Sequence, residues 1–192
     1  MMAALACGRS KTGGFSACEL NILNGTDSIM RVLTIEDSLD NVVLRAASHD
    51  FSLEELMSDE FKKLERMMIA TVTHPSQDGV GIAGPQVGLN RRIVAVQRFD
   101  KTEEPFEVYA NVRIVWLSDS LTYGPEGCLS VPDRRGNVLR SQQIVIEYAD
   151  LASLSHSCDD IPMARDTVSG FTAVIFQHEI DHLEGVLYID RL

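Results

Sequence analysis

The sequence predicts an α+β fold, with mainly antiparallel sheets packed around a C-terminal helix that bears an HExxH motif, and with a further helix near the N-terminus. Three observations predict it. Apolar residues recur at spacings of three and four near both ends of the 192-residue chain. Between them lie consecutive β-branched and aromatic runs, with none of the strand–helix alternation that a parallel sheet needs. Turn residues punctuate those runs.

The elements follow in order. Residues 1–29 read as an N-terminal extension, partly disordered, with one short helix near 16–24. Ser16 lies three before Glu19, a capping-box spacing, and Asn24-Gly25 is a stop. Residues 30–192 read as one domain, opening with "MRVLTI" as a strand. "FSLEELMSDEFKKLERMMIATV" reads as one helix, with Ser52 and Glu55 as a second capping box. Leu53, Met57, Phe61, Leu64 and Met68 form its apolar stripe, read as core packing. "RRIVAVQRF", "PFEVYANVRIVWLS" and "SQQIVIEYADL" read as strands. Tyr123-Gly124-Pro125 and Pro132 to Gly136 read as turns between them. The last element runs from about Ser169 to Leu183. Phe171, Val174, Ile175, His178 and His182 recur at helical spacing, and Gly185 stands where a helix ends.

Composition narrows the function. A net charge of −11 argues against direct nucleic-acid binding and against docking on anionic lipid, because both concentrate Lys and Arg. No apolar run approaches the ~20 residues of a transmembrane segment. Four separated cysteines with no CxxC pair form no disulfide framework and suit a reducing, cytoplasmic setting. Ala4-Leu5-Ala6-Cys7 loosely matches a lipoprotein cleavage box, so a form lipid-anchored through Cys7 is the alternative. No Lys or Arg precedes the box, and its apolar run is short.

"FQHEIDHLEG" carries the chemistry. Residues four apart on a helix project from nearly the same side, so His178 and His182 can share one ion. Glu179 lies about 100° round the helix, better placed to take a proton from water than to ligate beside His178. Chance would produce such a motif in roughly one chain of this composition in a hundred, and the plain alternative is a solvated helix end. A catalytic ion needs a third protein ligand. His49, His74 and His156 sit in weak contexts. Cys128 in "PEGCLSVP" is either a thiolate ligand or a small buried hydrophobe. "GVGIAGPQVGLN", Gly79 to Asn90, lacks the residues of a phosphate loop. Its glycines let a ligand lie against the backbone, and Gln86 supplies an amide.

Taken in order, GVGIAGPQ, EGCLS and QHEIDH resemble the motifs of the peptide deformylase family, over about Met30 to the end. The resemblance implies a hydrolase removing the formyl group from the N-terminal formylmethionine of newly made polypeptides. It implies one divalent ion, Fe2+ with Zn2+ or Ni2+ as substitutes, held by Cys128, His178 and His182. Glu179 would be the general base, and Gln86 with the Leu129 N–H would polarise the formyl oxygen. Gly81 would belong to the loop along which the peptide lies. Val80, Gly127, Phe171, Val174 and Ile175 are further substrate-binding candidates, the last three on a helix face expected to be buried. Asp181 is expected to orient a ligand or nearby backbone. The partners implied are N-formylmethionyl peptides and a transient ribosome contact, although the chain lacks the basic C-terminal extension of some members. Gly84 replaces the commoner alanine, a change that removes only a methyl, and Val112 replaces a frequent proline. Two rival readings are an ordinary HExxH zinc peptidase and a non-catalytic formyl-peptide or metal binder. Cys128 counts against the first, and the intact ligand and base set against the second.

Overall fold

A computed structural model describes residues 14–25, 29–77, 79–156 and 160–192. Cys7 lies outside them, so the lipid-anchor alternative gains no structural support. Among the described residues, no helix is long and apolar enough to cross a membrane. The fold is α+β with antiparallel sheets, as the sequence predicts.

Helix α1 (Ala17–Leu23) forms where expected. Ser16 accepts from the Glu19 N–H, and the Glu19 carboxylate accepts from the Ser16 N–H. This part of the extension is packed into the core: Leu23 is buried beside Phe61 and Leu64. Glu19 is buried too, and pairs with Arg91, which also reaches Glu55 at 2.7 Å. Burial alone would raise the Glu19 carboxyl. The Arg91 guanidinium and the Ser16 N–H outweigh burial and hold it below the usual 4.5. A carboxyl lowered on folding adds stability that is present above pH 4.5 and lost as pH falls through the folded-state value. Glu19→Gln is therefore expected to cost about 3 kcal/mol at pH 7, because it breaks a buried pair. In urea melts, the gap between variant and wild type should close as pH drops below 4.5. A gap independent of pH would contradict the assignment.

Helix α2 (Ser38–Leu44) went unread in the sequence; Asp37 caps it by accepting from the Leu39 and Asp40 N–H groups. The long helix expected over 51–72 is two, α3 (Leu53–Met57) and α4 (Asp59–Val72). Ser58 is extended (φ −75°, ψ 159°) and its hydroxyl accepts from the Phe61 N–H, so it ends one helix and caps the next. The break changes the helical phase. Met57 consequently points outward, while Phe61, Leu64 and Met68 stay in the core.

Strands β1 (Gly81–Ala83), β2 (Ile93–Gln97) and β3 (Phe106–Ala110) form the first sheet, in that order. Strands β4 (Arg113–Leu117), β7 (Gln143–Ala149) and β8 (Met163–Ser169) form the second. Asn111, at φ 52°, separates β3 from β4, and its side chain bonds both the N–H and the C=O of Phe51. The chain thus passes between sheets at a pinned residue, and Val112 behind it is buried. Strands β5 (Leu121–Cys128) and β6 (Val131–Ser141) form a separate hairpin. Gly124, Pro125, Pro132 and Gly136, read as turn residues, lie inside these strands. A two-stranded ribbon tolerates proline because each strand has one side without a ladder. "MRVLTI" is not a strand: the Leu33 N–H donates to the Gln86 carbonyl and the Ile35 N–H to the Ser130 carbonyl, tying a 3-10 turn to the turn after β5.

Helix α5 (Gly170–Leu183) begins after Ser169 and ends before Gly185, whose φ is 72°. Alternate residues of the first sheet serve two cores. Ile82, Ile93 and Ala95 pack with α4, whereas Ala83, Val94 and Val96 pack with α5. In the same core α5 also meets Ile144, Ile146 and Val168 of the second sheet. Two sheets therefore enclose α5 and fix its rotation, each fully buried Phe or Ile contributing ~1.5–3 kcal/mol. Cys128 is a free thiol, whereas Cys18 is disulfide-bonded.

Candidate metal centre and peptide cleft

Because α5 cannot rotate, His178, Glu179 and His182 face strand β1 and the β5–β6 hairpin. Cys128, the last residue of β5, places its Sγ 3.2 Å from His182 Nε2. One ligand atom from each of Cys128, His178 and His182 lies within 4.8 Å of the others. Bonds of ~2.0–2.3 Å place ligand atoms of a tetrahedral ion roughly 3.4–3.6 Å apart, so this spacing is close to what one ion needs. His178 Nδ1 lies 2.8 Å from Glu126 Oε2, which leaves Nε2 for the cluster. His182 Nδ1 and Glu179 Oε2 are buried without hydrogen-bond partners. A thiolate and two imidazoles fit a transition-metal ion with one position open to water or substrate.

Glu126 and Arg140, which the sequence reading missed, support the cluster. The Arg140 guanidinium donates to both Glu126 oxygens, at 2.8 and 3.0 Å, and to Asp181 at 2.5 Å. Asp181 also accepts two bonds from Arg191. It thus orients His178 indirectly, through Arg140 and Glu126. The first residue of EGCLS was the readable signal for Glu126; Arg140 becomes its neighbour only when the hairpin folds.

The electrostatics follow from this wiring. Burial would raise Glu126, but the Arg140 and His178 bonds outweigh it and hold the carboxyl at about 2. Burial lifts Glu179 to about 7. Burial and the nearby His178 and Arg140 charges push His182 well down. Burial also opposes protonation of His178, yet its bonds to Cys128 and Glu126 prevail and lift it to about 10. Ligating nitrogens must be unprotonated, so ion uptake displaces a proton from His178.

Gln86 sits in a 3-10 turn (Gly84–Val87). Its Oε1 accepts from the Ala83 N–H at 2.8 Å, which fixes the amide and turns Nε2 toward Ser130 Oγ (3.2 Å) and Cys128 Sγ (3.5 Å). Gly81 lies against the Glu179 carboxylate: a Cβ there would sit 2.5 Å from Oε1. Gly81→Ala is expected to displace Glu179 and lower kcat by ~10²-fold, the usual cost of misplacing a reacting group by about an ångström. Metal content should be retained, and an unchanged kcat would refute the contact. At Gly84 the sequence reading was a change that removes only a methyl. Here that methyl would meet the backbone oxygens of Arg91 (2.6 Å) and Leu89 (2.8 Å), so the turn is too tight for it.

A cleft of about 770 Å3 runs over the cluster. Val80, Gly81, Gly127, Phe171, Val174 and Ile175 all line it, as do Gln86, Cys128, Leu129, His178 and Glu179. Of the helix positions expected to be buried, only Ile175 is; Val174 is half-buried and Phe171 is 57% exposed. Phe171 and Val174 face the cleft, and the Phe171 ring rests on Phe99, whereas Thr172 and Ala173 of the same turn are buried.

Comparison with known proteins adds the following. The family model described as polypeptide deformylase matches residues 29–192. A protein named peptide deformylase from Leptospira biflexa serovar Patoc is 39% identical over 161 residues, covering 80% of this chain and 84% of its own. Two solved structures of class I type b peptide deformylase from Acinetobacter baumannii are 32% identical to it, each covering 85% of this chain and 98% of its own. One is described as actinonin-bound, with a TM-score of 0.71, and the other as Met-Ala-Ser-bound, with a TM-score of 0.70.

Proposed function

Since this chain belongs to the polypeptide deformylase family, we propose that Cys128, His178 and His182 hold its metal ion, and that Glu179 is its general base. The chain is a metal-dependent hydrolase that removes the formyl group from the N-terminus of polypeptides, and its substrates are peptides. The observation that carries the residue assignment is the convergence of one thiol and two imidazoles beside a buried, unpartnered carboxylate.

When bound, a divalent ion supplies positive charge that acidifies water in the cleft and polarises the formyl oxygen. Glu179 accepts a proton from the attacking water. The water oxygen bonds to the formyl carbon, and the carbon–nitrogen bond then breaks. Glu179 returns the proton to the leaving amine, so formate and a free N-terminus result. Negative charge gathers on the formyl oxygen during attack. The Gln86 amide, already oriented by Ala83, and the Leu129 N–H are the donors proposed to meet it. Gly81 leaves room for the peptide backbone and for Glu179 together. Val80, Gly127, Phe171, Val174 and Ile175 form the proposed walls for the first side chain.

The ion proposed is Fe2+, with Zn2+ or Ni2+ able to replace it, because one thiolate and two imidazoles accept several divalent ions. Metal analysis of anaerobically purified protein tests this. The proposed setting is the cytoplasm, with transient ribosome contact, where formylated chains emerge; co-sedimentation with ribosomes tests that part. The direct test of function is release of formate from formyl-Met-Ala-Ser by the Fe2+-loaded protein. Cleavage of the Met–Ala bond with no formate released would favour an ordinary peptidase.

A further inference from the structure

A second cavity, of about 680 Å3, adjoins the peptide cleft. The two share four lining residues: Pro125, Glu126, Phe171 and Val174. The second lies between the inner face of the β5–β6 hairpin and the first turns of α5. Thr122, Gly124, Glu126, Val138 and Arg140 line its hairpin side. Residues 122, 124 and 126 alternate along β5 and so share one face. At the middle one there is no side chain, and a Cβ built on Gly124 would meet no atom within 4 Å. Gly124, next to the shared Pro125, therefore leaves open space where a side chain would narrow the second cavity.

The chemistry of the second cavity changes along its length. Where it meets the cleft, Pro125, Phe171 and Val174 give it an apolar neck beside Glu126. Its lining outside the shared residues includes Ser118, Ser120, Thr122, Gln142, Gln143 and Ser169. Its two ionised side chains, Glu126 and Arg140, are paired with each other. It thus offers hydroxyls and amides, with no free charge to match a charged ligand.

We infer that the pocket for the peptide's first side chain continues past Gly124 into this second cavity, so the enzyme accepts first residues longer than methionine that end in an uncharged polar group. This rests on the deformylase reading and extends it to substrate class. Gly124 is its specificity-determining position. A four-methylene stem would cross the apolar neck, and an amide at its end would reach the hydroxyl-lined part.

The test compares formyl-Met-Ala-Ser with formyl-(Nε-acetyl-Lys)-Ala-Ser as substrates of the Fe2+-loaded full chain. Wild type is expected to deformylate both. Gly124→Val suits a strand and points its side chain into the passage. It should lower kcat/KM for the acetyl-lysyl peptide at least ~10-fold more than for the methionyl peptide, a discrimination of the size one pocket contact gives. Thr122→Phe, one step along the same face, should produce the same asymmetry and covers the case in which the first variant does not fold. Equal losses on both substrates, or a wild type that handles formyl-methionine but not the acetyl-lysyl peptide, would overturn the extended pocket alone. Failure of wild type on both peptides would overturn the deformylase reading with it.

Discussion

Glu179→Gln is expected to lower kcat for deformylation by ~10²–10⁴-fold, the usual contribution of a positioned general base. Metal content should be unchanged and thermal stability should not fall. The combination follows from the side chain's surroundings. Glu179 is 4% exposed, and its Oε2 has no hydrogen-bond partner. An ionised carboxylate in such a place costs folding energy and holds nothing together. Burial has already lifted its pKa to about 7, so a neutral amide of the same shape suits the folded chain at least as well. A residue retained for packing would give the opposite result, lost stability with activity kept. Thermal melts beside single-turnover rates separate the two.

Cys128→Ser is expected to weaken metal binding by more than ~100-fold, beyond the range seen when a residue behind a ligand is changed. Activity should fall with occupancy. The thiol lies 3.2 Å from His182 Nε2 and 3.5 Å from Gln86 Nε2. A serine hydroxyl keeps the size but stays protonated near neutral pH, so it is a poor ligand for a transition metal. His182→Ala should weaken binding comparably. Arg140→Met is a milder case: it leaves Glu126 buried without its main partner, and the orientation of His178 loosens. Titration with Co2+, followed by its absorption bands, reads affinity and ligand type together.

How much of this could be read in the sequence depends on how local each signal is. Helix α5 was legible because its apolar spacing, the two histidines and Gly185 all lie within one short segment. Its residues, with Gln86, Cys128 and Leu129, line one cleft or adjoin it, and their order along the chain was enough to suggest that they would meet. The hairpin was not legible. Pro125 pairs with Asn137 and Glu126 with Gly136, so residues that normally mark turns sit within strands. Only the absence of further strands beside the ribbon permits this, and no local pattern reports it. The break at Ser58 escaped for a related reason: serine inside a helical stripe is tolerated, and only the extended backbone reveals a cap. "MRVLTI" has strand composition, yet its Leu33 and Ile35 N–H groups bond to the Gln86 and Ser130 carbonyls of two separate turns. The Glu126–Arg140–Asp181 chain spans three elements, so it exists only in the folded protein. The residues proposed to touch the reaction were readable from motifs. Those that hold them in place were not.

The central claim is that one ion is held by one sulfur and two imidazole nitrogens. X-ray absorption at the metal edge of the Fe2+- or Zn2+-loaded protein tests it most directly. One sulfur neighbour and two imidazole neighbours are expected per ion, with the sulfur absent from Cys128→Ser. A loaded wild type with no sulfur around the ion, or a spectrum identical in the two proteins, would contradict the claim.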